Sequence, residues 1–91
     1  RSRTYSQSAL VCTINCAYPH DGVALENFQP SGPFAVLPMA GRRASVVWSV
    51  SARLAPHYMA LSDADFCAEL ESRMDGWLGR VSLASERFLY P

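Results

Sequence analysis

Two histidines, eight arginines, eight carboxylates and three cysteines are the groups in this 91-residue sequence that could do chemistry. His20 beside Asp21 and His57 beside Tyr58 are the imidazole sites, and imidazole is the usual general acid or base near neutral pH. Neither has a nucleophile at a recognised spacing. His20 falls in a turn cluster and His57 in a link after Pro56, so surface or turn-stabilising roles outweigh catalytic ones. Ser31-Gly32 lacks the G-x-S-x-G pattern and the strand-to-helix context of a nucleophile elbow. Asp63, Asp65, Glu69, Glu71 and Asp75 follow the outer face of a predicted helix, where such charges serve solvation. Arg42 and Arg43 fall at a predicted turn between two strands. A guanidinium there reaches an anionic cofactor group or a carboxylate, although a solvated turn is the commoner fate of loop arginines.

Cys12, Cys16 and Cys67 fit neither a zinc ribbon nor a redox CxxC pair, and with two dispersed histidines no metal is expected. Cys12 and Cys16, four residues apart in one strand, point to the same face but stand about 13 Å apart, too far to bond. The chain has no lysine, which excludes a Schiff base. No G-x-G-x-x-G or P-loop is present to hold a nucleotide phosphate. Zero net charge makes nucleic acid an improbable partner and limits any membrane contact to a peripheral one. The apolar runs are too short to span a bilayer, and there is no signal peptide. With Arg1 in place of an initiator Met, the chain reads as a piece of a longer, cytoplasmic protein.

The elements that must position these groups follow from periodicity. Leu10, Cys12, Ile14 and Cys16 alternate with Val11, Thr13 and Asn15, which predicts a strand over 5–16. Pro19 to Gly22 is a turn cluster, after which 23–28 returns as a second strand in a hairpin. In Phe28 to Met39, FQPSGPFAVLPM, three prolines exclude a helix and predict a tight bend at Ser31-Gly32 before an extended 34–37 that Pro38 ends. ASVVWSVS at 44–51 is the clearest strand. A helix is predicted over 61–79, with Ser62 as N-cap, Gly79 as its stop, and Phe66, Leu70, Met74 and Trp77 on one stripe. Residues 53–60 add a short helical turn, and 81–90 a last strand. The expected fold is α+β: an antiparallel sheet of about four to five strands with one main amphipathic helix on one face. The other face would stay uncovered, leaving Val47, Phe34 and similar residues free for a ligand, a domain or a second subunit.

Tyr5-Ser6-Gln7-Ser8-Ala9, Pro19-His20-Asp21-Gly22-Val23-Ala24, Phe28-Gln29-Pro30-Ser31-Gly32-Pro33-Phe34-Ala35-Val36-Leu37-Pro38 and Ser45-Val46-Val47-Trp48 occur in this order, followed by Leu61-Ser62-Asp63-Ala64-Asp65-Phe66 and a closing Arg87-Phe88-Leu89-Tyr90-Pro91. Together they resemble the middle region of the FAD-dependent aromatic hydroxylases of ubiquinone biosynthesis, across nearly the whole chain. The resemblance implies a substrate domain of the p-hydroxybenzoate hydroxylase type, a sheet forming the roof of the active site. It implies that Phe34, Val36, Leu37 and Trp48, or their opposite-face neighbours, border a prenylated aromatic substrate, and that Arg43 faces the cofactor. FAD, reduced by NAD(P)H, would supply the oxygen chemistry. The family's dinucleotide-binding and later flavin-contacting motifs are missing from these residues, and Asn15-Cys16-Ala17-Tyr18 replaces the polar run that often precedes Pro19-His20. The chain alone is therefore expected to be inactive and to need the FAD-binding domain of the same protein. The alternative is a free-standing binding module that dimerises through its uncovered sheet face.

Overall fold

A computed structural model describes residues 6–29 and 32–91. Six strands form one antiparallel sheet, β1 (Gln7–Cys16), β2 (Leu25–Gln29), β3 (Gly32–Pro38), β4 (Arg43–Ser51), β5 (Val81–Leu83) and β6 (Phe88–Tyr90). Two helices, α1 (Ala55–Ala60) and α2 (Asp63–Arg73), lie between β4 and β5. The strand order is β2-β3-β4-β1-β5, with β6 also paired to β1. The α+β fold with one main helix is as the sequence predicts, with one more strand.

The expected hairpin between the first two strands does not form. β1 pairs with β4 over nine residues, from Gln7 opposite Ser51 to Asn15 opposite Arg43, while β2 pairs with β3. The reason lies in the alternation. Leu10, Cys12 and Ile14 stand opposite Trp48, Val46 and Ala44, so the two longest strands pool their apolar faces. Short β2 cannot offer that, and sheet register follows the face that must be buried. The bend expected at Ser31 falls partly outside the described residues. Gly32, with φ +128°, opens β3.

The core is the face shared by Leu10, Cys12, Ile14, Phe34, Val36, Val46, Trp48 and Val50, sealed by Phe66, Cys67, Leu70, Met74 and Leu78. Ser62 caps α2 as predicted, its Oγ accepting from the Asp65 amide at 3.1 Å. The helix stops earlier than Gly79: Asp75 (φ 53°) and Gly76 (φ 76°) are left-handed, and the Gly76 amide returns to the Glu71 carbonyl. The last strand is split because the Thr13 amide donates to Ser85 Oγ at 2.8 Å, and the chain bulges out over 84–87 before rejoining β1. Arg87 pins that bulge. Its guanidinium lies 4.6 Å from the Phe66 ring and donates to the Tyr58 carbonyl and to Asp63. The outer edge of β5 is also closed, since Val81 donates its amide to Glu71 of α2 at 2.9 Å.

Gly32 is a sensitive joint in this frame. A Cβ there would stand 2.7 Å from Ser49 Oγ and 2.9 Å from Ser49 Cβ, on a backbone that L side chains rarely adopt. Gly32→Ala is expected to lower stability by about 1–3 kcal/mol, measurable as a shift in the urea midpoint at unchanged m-value.

Candidate functional site

The sheet sorts the predicted site residues onto two faces. Phe34, Val36 and Trp48 point toward α2 and are fully buried. Trp48 sits inside an aromatic cluster, with ring centroids 4.5 Å from Tyr58, 6.0 Å from Phe34 and 6.2 Å from Phe66. The Arg73 guanidinium lies 4.4 Å from the Trp48 ring and pairs with Glu69 at 3.4 Å. Arg73 thus covers the core; its long side chain lays its planar head on an aromatic face. Phe34, placed on the uncovered face beside Val47, belongs to the core face, because it stands opposite Trp48 in the ladder while Val47 stands opposite Ala35.

Leu37 and Arg43 lie on the other face. Cross-strand rows there read Glu26–Ala35–Val47–Val11–Phe88, Leu37–Ser45–Thr13 and Ser49–Ala9–Tyr90. No helix among the described residues covers this face. Its middle is built of small residues, so the floor is shallow and broad, and Leu37 (45% exposed), Phe88 (45%) and Tyr90 (54%) rise at its margins. At the end formed by the start of β4, Arg43 stands opposite Asn15, which stands opposite Ser82 on its other side. Asn15 donates to Ser82 Oγ at 3.3 Å. The face therefore has an apolar middle with the cationic Arg43 at one end, Gln7 and Ser49 at the other and Glu26 at its β2 edge.

The two turn arginines differ. Arg42 donates to the Ala17 carbonyl at 2.6 Å, while Arg43 is exposed with no ion-pair or hydrogen-bond partner for its guanidinium among the described residues. A free guanidinium at the edge of a small-residue floor fits an anionic group laid along the sheet.

His20 is buried, with its ring nitrogens at hydrogen-bond distance from the Met39 and Arg43 carbonyls and the Gly22 amide, the turn-stabilising role its position suggested. His57 is exposed on α1, its ring 5.2 Å from that of Tyr58. A cavity of about 550 Å³ on the helix side is lined by Met59, Asp63 and Leu83 to Arg87, but Ser85 and Arg87 there are engaged in the bulge. Among the described residues no three His, Cys, Asp or Glu side chains converge as metal ligands. No helix among them is long and apolar enough to cross a membrane.

The three thiols are free and buried. Burial, with Cys67 close by, pushes Cys12 up from an ordinary value of 9.0 to about 12, and burial also raises Cys16 and Cys67. Thiols held protonated are poor nucleophiles. Because the folded chain keeps these protons while the unfolded chain loses them above pH 9, the thiols' contribution to stability is fully present below pH 9 and falls as pH rises from about 9 toward 12. Equilibrium unfolding from pH 7 to 10.5 checks this. Replacing Cys12 with Ala should flatten the alkaline slope.

In class, this is a two-layer α+β module with one sheet face sealed by a helix and the other built as an open floor. No protein-family model matches the chain. It is 44% identical over 90 residues to ubiquinone hydroxylase UbiL of Rhodospirillum rubrum, an alignment covering 99% of this chain and 21% of that protein. It is 35% identical over 72 residues to the mitochondrial ubiquinone biosynthesis monooxygenase COQ6 of Homo sapiens, covering 78% of this chain and 15% of the relative. A Synechocystis protein of uncharacterised function is 37% identical over 87 residues, 96% of this chain and 21% of that one. The chain belongs to the hydroxylase family of ubiquinone biosynthesis, and it spans about a fifth of the length of the relatives it matches most extensively.

Proposed function

We propose that this chain is the substrate-domain segment of a flavin-dependent monooxygenase that hydroxylates a polyprenylated phenol in ubiquinone biosynthesis. The observation that carries this reading is the open sheet face: a shallow floor of Ala35, Val47, Val11 and Ala9 rimmed by Leu37, Phe88 and Tyr90. A planar ring needs such a surface, since small side chains let it lie flat while marginal aromatics meet its edge. A prenyl tail suits the apolar margin. Water excluded from that floor by the rest of the protein would protect the reacting ring from side reactions.

FAD, reduced by NAD(P)H, supplies the oxygen chemistry when bound. Of this chain's residues, Arg43 fits an anionic group of that cofactor, and Asn15 and Ser82 extend its polar row. One guanidinium without a phosphate-binding loop holds a dinucleotide weakly, so the chain by itself is inactive and the remaining domain of the same protein does most of the binding. The longer protein works in the cytoplasm, with at most peripheral contact to the membrane where its lipophilic substrate resides.

The test uses the full-length protein. It should purify yellow, consume NAD(P)H and hydroxylate a polyprenylated phenol. A colourless protein without NAD(P)H oxidation would overturn the reading. The exposed Phe88 and Tyr90 favour a second reading, a module that dimerises through this face. Sedimentation of the isolated chain at high concentration tests this second reading: a dimer supports it, and a strictly monomeric species counts against it.

A further inference from the structure

The link after β1 and the turn between β3 and β4 meet at His20, the one buried polar side chain among the described residues. On its own side the imidazole is held by a tight turn. The Gly22 amide donates to Nδ1 at 3.0 Å, the Val23 amide donates to the His20 carbonyl at 3.0 Å, and Asp21 and Gly22 both have positive φ. Because Nδ1 accepts, the hydrogen-bond pattern assigns the ring proton to Nε2. That nitrogen lies 3.0 Å from the Met39 carbonyl and 3.0 Å from the Arg43 carbonyl, the two residues that close the turn.

We propose that His20 is a positioning residue for Arg43: its Nε2–H, shared between the Met39 and Arg43 carbonyls, fixes where the free guanidinium stands on the open face. The strand ladder holds the base of the turn, with Arg43 opposite Asn15 and Ala44 opposite Pro38. Met39 donates to the Arg43 carbonyl, Gly41 is left-handed, and residues 40–43 are exposed. Two further ties bind the neighbouring residue, the Cys16 amide to the Arg42 carbonyl at 2.7 Å and the Arg42 guanidinium to Ala17. They spend Arg42 and leave Arg43 to project from the strand end. His20 is the side chain that grips Arg43's own peptide, sharing its carbonyl with the Met39 amide, so a shift of its ring moves the base of that side chain. The functional consequence rests on the reading that Arg43 meets an anionic group of the flavin.

The experiment uses the full-length protein with ¹⁵N-labelled histidine and arginine. The His20 ring should show a protonated Nε2 and an unprotonated Nδ1. His20→Leu should shift the Arg42 and Arg43 amide signals while leaving Arg53 unmoved, and His20→Gln, which retains an N–H donor at that reach, should restore them. FAD titration followed by flavin fluorescence supplies the second readout. Arg43→Gln should weaken FAD binding about tenfold, as expected for one charge-assisted hydrogen bond. His20→Leu should weaken it several-fold, and the double variant should bind no worse than Arg43→Gln alone. A proton on Nδ1, unmoved Arg43 signals, or additive losses in the double variant would overturn the positioning role. Unchanged FAD affinity in Arg43→Gln would instead overturn the cofactor role of Arg43, while the ring and amide signals still decide whether His20 positions it.

Discussion

Trp48→Ala should cost the fold about 3–5 kcal/mol, the largest stability loss expected of any single substitution in the sheet. The residue is 1% exposed, and its ring touches Phe34, Tyr58, Phe66 and the Arg73 guanidinium. Truncation would empty a void among partners that cannot collapse together, because β3 and α2 fix two of them in regular elements. It would also leave Arg73 without the aromatic face it lies on. Trp48→Phe should be far milder. The Trp48 Nε1 is buried without a hydrogen-bond partner, so a phenyl ring in its place removes an unsatisfied donor and offsets part of the lost volume. Urea unfolding of the three proteins checks this order. A loss below about 1 kcal/mol for the alanine variant would mean that the ring does not hold the core together.

Val47→Asp carries the largest expected effect on activity. Val47 lies mid-floor between Ala35 and Val11, on the face that α2 does not cover. A carboxylate there should lower ring hydroxylation by the full-length protein by about a hundredfold or more, since desolvating a charge against an apolar ring costs several kcal/mol. The fold should survive, because the residue is half-buried and packs against no helix. Ala68→Asp on the exposed side of α2 is the control, with activity near that of the parent. A Val47→Asp protein that hydroxylates normally would remove the open face from the site.

Much of this architecture was legible in the residues. The alternation of Leu10, Cys12, Ile14 and Cys16, the Ser62 cap and the Phe66–Leu70–Met74 stripe each encode a local period, and local periods survive folding. Strand order was not legible. Which strand lies beside β1 depends on contacts between residues 28 to 44 apart, and the turn at 19–22 looks like a hairpin turn although its His20 instead reaches across to the β3–β4 turn. The faces of the candidate site were harder still. Phe34 and Trp48 carry the largest rings in their strands and attract attention as ring-binding groups, yet with Val36 they fill the helix-covered side. The floor is made of Ala35, Val47 and Val11, whose smallness carries no signal until the register sets them in a row. Nothing in the spacing of Arg73 and Arg87 announces the Trp48 and Phe66 rings beneath them.

The most direct measurement replaces Leu37, at the exposed margin of the floor, with a photoreactive benzoylphenylalanine in the full-length protein and irradiates it with a polyprenylated phenol present. The same probe at Ala68, on the outer side of α2, serves as reference. A covalent adduct of the phenol from position 37, absent from position 68 and suppressed by excess unlabelled phenol, is the predicted result. Adducts from position 68 with none from position 37 would contradict it, placing the substrate on the helix side of the sheet.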